Sequence, residues 1–405
     1  MRFDFSVSVA VILALAGCGE ADRAGRLAER FLIVDTHIDV PHRLFREEAD
    51  VSQATESGDF DYPRARAGGL DAAFMSIYIP AEVDAAGNAY ERANQLIDRV
   101  EAIAAGAPGK FAVATCSADI GRIRASGRIA LPLGMENGGP IAGDFANLRH
   151  FRARGIRYVT LAHSRANHIS DSSYDDFERW QGLSPFGREL IGEMNRQGMM
   201  IDVSHLSDRA FWQVLERTAT PVLATHSSLR HFTPGFHRNM SDEMVAALGA
   251  NGGVIQINFG SSFLTRAAQD HATARSKALL AFSFNNQLQP DDPRIAEFGD
   301  SYRETNPYPF ATTDDVLDHI DRAVALAGVE SVGIGSDYDG VGDSLPGGLK
   351  DVSTYPNLVA GLLRRGYAEP DIKKILGGNT MRVWRAAEEF AARHGNPPLC
   401  RTAVE

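Results

Sequence analysis

Short apolar runs alternate with amphipathic stretches from about residue 31 to the end of the chain. Apolar residues fill these runs almost continuously, which is typical of parallel strands buried on both faces. The eight runs are Phe31–Asp39, Asp71–Ile79, Ile129–Asn137, Arg157–His163, Met199–His205, Pro221–Ser228, Gly252–Asn258 and Ser331–Tyr338. Between them lie stretches with helical periodicity, several of which begin with a capping Ser, Thr or Asp: 84–105, 184–197, 207–217, 241–248 and 313–326. Eight alternations of strand and helix predict an α/β fold, a (β/α)8 TIM-like barrel, with a doubly wound open sheet as the alternative.

Two segments depart from this repeat. About 50 residues (260–311) separate the seventh run from its helix, whereas a βα loop usually has about 2–6 residues. The second half of this insertion is rich in proline and polar residues, and we interpret it as a lid or wall at the barrel mouth, or as a surface insertion. The stretch from Tyr355 to Arg393 predicts two or three additional helices packed outside the barrel.

The amino terminus has the pattern of an export signal. Residues 1–17 contain a 12-residue apolar stretch from Ser6 to Gly17, which suits a signal-peptide core and is short of the roughly 20 residues that span a bilayer. The sequence Leu-Ala-Gly-Cys that ends at Cys18 resembles a bacterial lipoprotein box, which implies that Cys18 is acylated. An ordinary secretory signal and a buried N-terminal strand are the alternatives.

The predicted organisation is therefore a signal peptide at 1–17, a polar tether at 18–30 and one barrel domain at 31–405. A lipoprotein of this kind would be anchored in the bacterial cell envelope and face the periplasm or the exterior. Its only contact with the membrane would be the N-terminal lipid.

Composition narrows the function without identifying it. The chain is 44% apolar and 23% charged, which is ordinary globular composition and excludes collagen, coiled coil and wholesale disorder. With 52 acidic and 41 basic residues its net charge is −11, so no general affinity for nucleic acid is expected. Three cysteines are too few for a disulfide scaffold. Export would permit Cys116 and Cys400 to pair, but the sequence does not establish a disulfide.

Polar residues cluster at the ends of the predicted strands. They are His37 and Asp39 (first run), Glu136 (third), His163 (fourth), His205 (fifth), His226 (sixth) and Asp337 (eighth). Taken singly, a strand-end histidine is usually a hydrogen-bonded rim residue, and an aspartate can cap a helix. In a barrel, however, all of these positions reach the mouth where active sites lie. Seven such residues on one rim indicate a functional site.

The spacing of these residues predicts a pair of metal ions. His37 and Asp39 are two apart on one strand, so they share a face and can bind one ion. His205 and His226 lie on adjacent strands about 5 Å apart and can bind a second ion. The two oxygens of Glu136 can bridge both. Three imidazoles and two carboxylates suit two Zn²⁺ ions, with Mn, Co or Fe left open. Such a pair holds a bridging hydroxide and polarises a carbonyl or phosphoryl oxygen.

Eight segments of the chain then carry a family resemblance. They are VDTHIDVPHR, LGMENGGP, RYVTLAHSRANH, IDVSHLSD, ATHSS, HRNMSDE, GIGSDYDGV and GGNTMRVW, from residue 34 to about 385. In this order and spacing they resemble the membrane dipeptidase (renal dipeptidase) family of the amidohydrolase superfamily. The resemblance implies a zinc-dependent metalloprotease that hydrolyses dipeptides with free amino and carboxyl ends through a metal-bridged hydroxide. It further implies tolerance of an L- or D-residue at the C-terminal position, and the relatives suggest a homodimer.

The same resemblance assigns roles to single residues. His37 and Asp39 would hold the first zinc, His205 and His226 the second, and Glu136 would bridge them. The remaining site residues would read the substrate.

Three residues would bind the dipeptide itself. His163 would contact the scissile carbonyl and stabilise the oxyanion. Arg238 would clamp the C-terminal carboxylate with its planar fork. Asp337, preferred over the nearby Asp339 by its place in the motif, would bind the amino group and pass a proton to the leaving amine.

Some departures and alternatives remain open. Arg165 stands where mammalian relatives carry a disulfide cysteine, so that bridge is absent. The same metal site could act on another amide, such as a β-lactam or an N-acyl amino acid, because a fold does not fix its substrate. A non-catalytic, ligand-binding envelope lipoprotein is a third hypothesis. We expect Asp35 to support His37 and most of the remaining histidines, His319 among them, to lie at the surface, with His168 and His237 as alternative candidates for lining the pocket.

Overall fold

Eight parallel strands close into a barrel in the computed structural model, which describes residues 22–400. The strands of the sheet are β1 (Ile33–Ile38), β2 (Leu70–Tyr78), β3 (Phe111–Val113), β4 (Ile129–Leu131), β5 (Leu133–Glu136), β6 (Ile156–Thr160), β7 (Met200–Asp202), β8 (Leu223–Ser227), β9 (Val254–Ile257) and β10 (Val332–Ile334). Their order is β1-β10-β9-β8-β7-β6-β5-β2, and a β1–β2 pairing closes the circle. The predicted (β/α)8 barrel is confirmed, and the open-sheet alternative is wrong.

The predicted third strand is broken in two. Pro132 separates β4 from β5 because proline lacks the N–H that would continue the ladder. β5 pairs with β2 and β6 inside the barrel, whereas β4 also pairs with the short extra strand β3 outside it. The apolar pattern of the chain did not predict β3.

Helices surround the barrel. They are α1 (22–30), α2 (Val40–Arg46), α3 (Tyr62–Ala67), α4 (Ala81–Ala85), α5 (Ala89–Gly106), α6 (Ser117–Ala125), α7 (Phe145–Arg154), α8 (Pro185–Gln197), α9 (Asp208–Leu215), α10 (Asp242–Ala250), α11 (Ser261–Leu264), α12 (Arg266–Asn285), α13 (Pro293–Thr305), α14 (Thr313–Ala327), α15 (Tyr355–Arg364), α16 (Glu369–Lys373) and α17 (Asn379–Arg393). Ser184, Ser207 and Ser241 each accept a hydrogen bond from the backbone N–H three residues later, as expected of caps.

The barrel interior is closed at its base by the last helix. The inward side chains of alternate strands include Phe74 of β2 and Tyr158 of β6, whose rings lie 5.4 Å apart. Trp384 of α17 packs against Phe74 at 5.2 Å. A disulfide between Cys116 and Cys400, with Cα atoms 4.9 Å apart, ties the C-terminal residues to the barrel. The interior below the mouth is thus a packed core.

Residues 22–30 do not form the tether that the sequence suggested. They are helical, and Ala24, Leu27 and Ala28 are buried because they share one face of α1. Gly69, which immediately precedes β2, packs closely against α1, because a Cβ at this position would lie 2.7 Å from the carbonyl oxygen of Ala28. Helix α1 therefore covers the end of the barrel where strands begin, opposite the mouth.

The signal peptide at 1–17 and the lipidation site at Cys18 lie outside the described residues. None of the helices that residues 22–400 form is long and apolar enough to cross a membrane.

The insertion at 260–311 is helical. Helices α12 and α13 form a hairpin in which Phe282 stacks on Phe298 at 4.3 Å, and most of its surface is exposed, with Phe284 at 84%. Only the start of the insertion reaches the mouth, where Ser262 and Phe263 line the cavity. The first part of the insertion is thus a wall of the mouth, and the hairpin extends away from it.

One histidine prediction was wrong. His319 of α14 is fully buried, because both of its ring nitrogens have backbone partners. Its Nδ1 accepts from the N–H of Leu229 at 3.0 Å, and its Nε2 lies 3.0 Å from the carbonyl oxygen of Leu264. The ring therefore joins the segment after β8 to α11.

Candidate metal centre and substrate cavity

The predicted site residues meet at the carboxyl ends of the strands. A cavity of about 1420 Å³ opens there and is lined by Asp39, Glu136, His163, His205, His226 and Asp337 among others. His37 lies fully buried beneath the cavity, and Arg238 is buried beside it. The structure therefore brings all eight predicted metal and substrate residues to one site.

Glu136 occupies the centre of the site. Its Oε1 lies 3.2 Å from the Nε2 atoms of both His205 and His226, and 3.4 Å from Nε2 of His163. Its Oε2 lies 3.4 Å from Nε2 of His37. The two oxygens of one carboxylate thus face two different sets of imidazoles, which is the arrangement expected of a bridging ligand.

Two further carboxylates lie beside His37. Nε2 of His37 lies 3.4 Å from Oδ2 of Asp39, and Asp337 offers a further carboxylate oxygen within the same ligand-sized cluster. Asn258 donates a hydrogen bond of 2.7 Å to Oδ2 of Asp337 and fixes its orientation. Asp337 therefore lies both beside the His37–Asp39 pair and at the wall of the cavity.

These side chains fit divalent cations. Three overlapping groups of donors each bring their atoms within 4.8 Å of one another: His37, Glu136 and His226; Glu136, His163 and His205; His37, Asp39 and Asp337. Nε2 of His37 is buried and has no hydrogen-bond partner in the described part of the chain. Imidazole nitrogens and carboxylate oxygens are the donors that zinc prefers among N and O ligands.

The protonation states also suit a metal. Burial lowers the pKa values of His205 and His226 well below the ordinary value, so both rings are neutral and can offer a lone pair. Burial alone would raise the pKa of Glu136, but the neighbouring imidazoles of His37 and His163 hold it well below its usual range. Glu136 is therefore an anion at the point where two cations would share it.

The ring of His37 is held by a tyrosine that sequence reasoning missed. Tyr158 Oη lies 3.0 Å from Nδ1 of His37 and donates a 3.0 Å hydrogen bond to the carbonyl oxygen of Thr36. Nδ1–H must then be the donor to Tyr158, which leaves Nε2 free to bind a metal. The only signal for Tyr158 in the sequence was its position in β6, where alternate side chains face the barrel interior.

Asp35 supports the backbone around His37. Its Oδ1 accepts hydrogen bonds from the N–H groups of His37 at 3.0 Å and Ser336 at 3.1 Å, and its Oδ2 accepts from the Tyr355 hydroxyl at 2.6 Å. Asp35 therefore supports the backbone at the end of β1 and just after β10, whereas the imidazole of His37 is held by Tyr158.

The backbone is strained at the mouth. Asn137, His205, Asp337 and Asp339 have positive φ angles of 75°, 68°, 64° and 64°, a region that residues other than glycine rarely adopt. A hydrogen bond of 3.1 Å from the N–H of Asp337 to the carbonyl oxygen of His37 locks one of these turns. Strain of this kind clusters at functional sites, where surrounding contacts hold the side chains in fixed positions.

Arg238 is a buried cation and not a loop residue in solvent. Only 3% of it is exposed. Its Nη1 donates to Ser227 Oγ at 2.9 Å and its Nη2 to the carbonyl oxygen of His226 at 2.7 Å, while the guanidinium lies 5.4 Å from the ring centre of Phe263. These contacts hold a fork of N–H donors next to one of the metal-ligand candidates.

Two further side chains have the properties that substrate chemistry needs. Burial lowers the pKa of His163, whose ring lies between Tyr78 at 4.7 Å and His205 at 4.2 Å. Burial raises the pKa of Asp337 to about 7; the nearby imidazole of His37 opposes this shift and the carboxylate of Asp39 adds to it. A carboxyl group that titrates near neutrality can both accept and release a proton.

Asp339, the second acid of its segment, has a structural role. Its carboxylate pairs with Nε of Arg43 at 3.0 Å and accepts a hydrogen bond of 2.6 Å from the N–H of Asp59. It therefore connects the loop after β10 to the segment that precedes α3. The motif order had favoured Asp337 over Asp339 for the substrate role, and these contacts are consistent with that choice.

Comparisons with known proteins identify relatives of the whole barrel. The family model described as membrane dipeptidase (peptidase family M19) matches residues 21–397. Dipeptidase tcpJ of Claviceps purpurea (strain 20.1) is 32% identical over 356 residues, which cover 86% of this chain and 74% of that protein.

Two solved structures have the same architecture. The probable dipeptidase PvdM from Pseudomonas aeruginosa is similar with a TM-score of 0.80 at 27% identity, over 92% of this chain and 99% of that one. A metallopeptidase from Rhodobacter sphaeroides, liganded with a phosphinate mimic of the dipeptide L-Ala-D-Ala, has a TM-score of 0.72 at 25% identity, over 88% and 99% of the two chains.

Proposed function

The chain belongs to the membrane dipeptidase family, peptidase family M19, and is a metal-dependent dipeptidase; on this premise we propose that it is a two-zinc enzyme for dipeptides with both ends free. The observation that carries the proposal is the position of Glu136, whose two oxygens face separate sets of imidazoles. In this proposal His37 and Asp39 hold one ion, and His205 and His226 hold the other.

The metal pair supplies an acidified water and polarises the scissile carbonyl when it is bound. Zinc is proposed because the donors are imidazoles and carboxylates, and Mn, Co or Fe would use the same donors. The side chains around the pair then have to orient the dipeptide, exclude wrong substrates and move a proton.

Arg238 and Asp337 read the two ends of a zwitterion. The fork of Arg238 binds the C-terminal carboxylate, because guanidinium and carboxylate match in a bidentate pair. Asp337 accepts hydrogen bonds from the free amino group and, with a pKa raised to about 7 by burial, can hold the proton that the leaving amine needs. His163, neutral and next to Glu136, donates a hydrogen bond to the carbonyl oxygen as negative charge develops there.

This arrangement restricts the substrate to dipeptides. A longer peptide would place an amide where Arg238 or Asp337 needs an opposite charge, and a buried group left unpaired costs about 1–3 kcal/mol or more. The cavity of about 1420 Å³ leaves space beside the metal centre for either configuration of the C-terminal residue. The phosphinate mimic of L-Ala-D-Ala on the Rhodobacter sphaeroides relative supports tolerance of a D-residue.

We also propose that the protein is an envelope lipoprotein, acylated at Cys18, and that it forms a homodimer. The described part of helix α1 starts at residue 22, four positions after Cys18, and covers the closed end of the barrel. An anchor at Cys18 would therefore leave the mouth facing away from the membrane. Mass spectrometry of the mature protein from a bacterial host tests the lipid, and light scattering tests the dimer.

A substrate panel with zinc-loaded protein tests the proposed activity. We expect hydrolysis of L-Ala-L-Ala and L-Ala-D-Ala, and strongly reduced rates when either end is blocked by acetylation or amidation. Bound zinc should approach two equivalents per chain. Preferential hydrolysis of an N-acyl amino acid or a β-lactam would favour the alternative substrate classes, and a protein that binds no divalent metal would refute the proposal.

A further inference from the structure

A buried carboxylate lies behind one of the histidines of the metal centre. Asp202 ends β7 and is completely inaccessible to solvent. Its Oδ1 accepts hydrogen bonds from the backbone N–H groups of Thr225 at 2.9 Å and Ser204 at 3.0 Å. Its Oδ2 accepts from the hydroxyl of Thr225 at 2.7 Å and from that of Thr160. Four donors therefore converge on one acid that faces no solvent and no substrate.

The hydrogen bonds define a direction for the protons. Thr225 Oγ1 also lies 2.9 Å from Nδ1 of His226. The single hydroxyl proton of Thr225 is donated to Asp202, so the oxygen must accept the bond from Nδ1–H of His226. That tautomer leaves the lone pair on Nε2, which points at Oε1 of Glu136 from 3.2 Å.

We propose that Asp202 and Thr225 are positioning residues that fix the tautomer and the ring of His226 for metal binding. The inference rests on the proposed two-metal centre and adds the residues that tune one of its two sites. A carboxylate that acts on a metal-binding imidazole raises the basicity of the ring and thereby the affinity for the ion. Here the threonine hydroxyl transmits that effect.

The three metal-ligand histidines are supported unequally. Tyr158 holds His37 through a neutral hydroxyl, and Nδ1 of His205 has no hydrogen-bond partner within residues 22–400. His226 is therefore the ligand of the second ion whose orientation the surrounding protein fixes most strongly. Loss of the hydrogen-bond relay that runs from His226 through Thr225 to Asp202 should weaken the binding of that ion without unfolding the protein.

Variants of Thr225 separate this role from a structural one. Thr225→Val removes the hydroxyl and keeps the shape, Thr225→Ser restores the hydroxyl, and Asp202→Asn changes the acid at the end of the relay. Thr220→Val is a matched control, because Thr220 is also buried next to β8 but bonds Asn195 away from the metal centre. Zinc affinity is measured by competition with a chelator, and the thermal stability of the metal-free proteins is measured in parallel.

We expect Thr225→Val and Asp202→Asn to weaken binding of the zinc held by His205 and His226 by about 10–100-fold. Thr225→Ser should retain most of the affinity, and Thr220→Val should bind zinc as the wild type does. Equal zinc affinity in Thr225→Val and wild type would overturn the inference, as would equal losses in the Val and Ser variants. Wild-type protein that binds no zinc would instead overturn the proposed function from which the inference starts.

A different observation concerns the far wall of the cavity. Arg46 at the end of α2 and Arg92 of α5 both line it, and the Arg92 guanidinium lies 4.1 Å from the ring centre of Phe45. Within residues 22–400 neither arginine has an ion-pair partner, although the neighbouring Arg43 pairs with Asp339. Nε of Arg92 is buried and has no hydrogen-bond partner there either. Two guanidinium groups thus face the substrate cavity without a direct ion-pair partner in the described part of the chain.

The geometry of α2 places this wall near the His37–Asp39 side of the centre. Asp39 is the N-cap of α2 and Arg46 is its last residue, so about 10 Å of helix rise separates them. Side chains on a helix lean toward its N-terminus, and Arg46 acts electrostatically on His42, one turn before it. Asp337, the expected acceptor of the substrate's amino group, is clustered with Asp39 on the same side.

We infer that Arg46, Arg92 and Phe45 form a subsite for a negatively charged side chain on the amino-terminal residue of the dipeptide. This inference also rests on the proposed function, since it assumes that Asp337 binds the amino group. Glu82 lines the same cavity but forms an ion pair with neither arginine, so both guanidinium groups remain available to a ligand.

Isosteric dipeptides test the subsite. The ratio of kcat/KM for L-Glu-L-Ala to that for L-Gln-L-Ala is measured in wild type, in Arg46→Gln, in Arg92→Gln and in the double variant. Arg165→Gln is the control, because Arg165 lines the same cavity but is already paired with Asp175 at 3.1 Å. Hydrolysis of L-Ala-L-Ala is measured throughout.

We expect the wild type to prefer L-Glu-L-Ala by about tenfold, the double variant to lose that preference, and Arg165→Gln to keep it. A ratio near one in the wild type, or a ratio that the double variant leaves unchanged, would overturn the subsite while L-Ala-L-Ala is still hydrolysed. If no dipeptide is hydrolysed, the proposed function fails as well.

Discussion

Gly340 offers a purely steric test of the metal centre. It follows the last strand of the barrel and packs against the carboxylates of Asp39 and Asp337. A Cβ at this position would come closer than 3.0 Å to Oδ2 of Asp39 and to Oδ1 of Asp337. The backbone of Gly340 does not have a positive φ, so alanine can adopt it without strain. The substitution Gly340→Ala therefore acts only by pushing on the two acids.

The expected loss follows from the size of that displacement. An ordinary contact between carbon and oxygen requires the carboxylates to move by about 1 Å. A misplacement of about 1 Å at a reacting centre can reduce the rate about 100-fold. We expect kcat/KM for L-Ala-L-Ala to fall by roughly that factor, equivalent to about 2.7 kcal/mol of transition-state stabilisation. Zinc held by His37 and Asp39 should also bind more weakly.

A second glycine of the same loop provides the control. A Cβ on Gly347 would lie 3.8 Å from its nearest neighbour, the carbonyl oxygen of Ala311, so Gly347→Ala should be close to wild type. Steady-state kinetics and metal analysis of both variants are the assay. Wild-type kinetics and full zinc content in Gly340→Ala would refute the reasoning, because they would show that the two acids do not need their present positions.

Three further predictions address separate parts of the molecule. Arg238→Gln should raise KM by about 100-fold for dipeptides with a free carboxylate, since two charge-assisted hydrogen bonds are lost. The KM for amidated dipeptides should change little, and an equal rise for both kinds of substrate would contradict the clamp. Burial raises the pKa of Asp339 to about 7 although Arg43 opposes the shift. Between about pH 4 and pH 7 the folded state therefore keeps a proton that the unfolded state has released. The free energy of unfolding should fall as the pH rises through this range. Asp339→Asn should flatten that dependence in thermal melts, and an unchanged slope would count against it. Cys400→Ser should lower the free energy of unfolding by about 2–4 kcal/mol in denaturant titrations and leave kcat/KM unchanged, because the bond to Cys116 lies away from the mouth; a loss of activity in the folded variant would show that the bond acts on the site.

The barrel and the meeting of the candidate ligands at its mouth were predictable because both follow from one regularity. Each candidate ligand ends or follows an apolar run, and parallel strands of a barrel bring their carboxyl ends to one mouth. His37 and Asp39 are adjacent on one strand, and His205 and His226 are on neighbouring strands, so strand geometry alone places them together. The resemblance to known dipeptidases then supplied Arg238, which pattern alone would have left in a loop.

What the sequence did not predict depends on partners that are distant in the chain. Tyr158 contacts His37 across 121 positions and Asp202 contacts Thr225 across 23; nothing in either residue's local pattern identifies its partner. Helix α1 was assigned to a tether because its composition is polar, and only the fold shows that its few apolar residues share a buried face. His319 was assigned to the surface because a lone polar ring on a helix is usually exposed; it is buried because the backbone supplies a partner for each of its two ring nitrogens.

The most direct test of the central claim is anomalous diffraction from crystals of the zinc-loaded protein. We predict two zinc peaks, one on each side of the Glu136 carboxylate, with Nε2 of His37 about 2.0–2.1 Å from one ion and Nε2 of His226 at that distance from the other. A single peak, or two peaks that do not share Glu136, would contradict it.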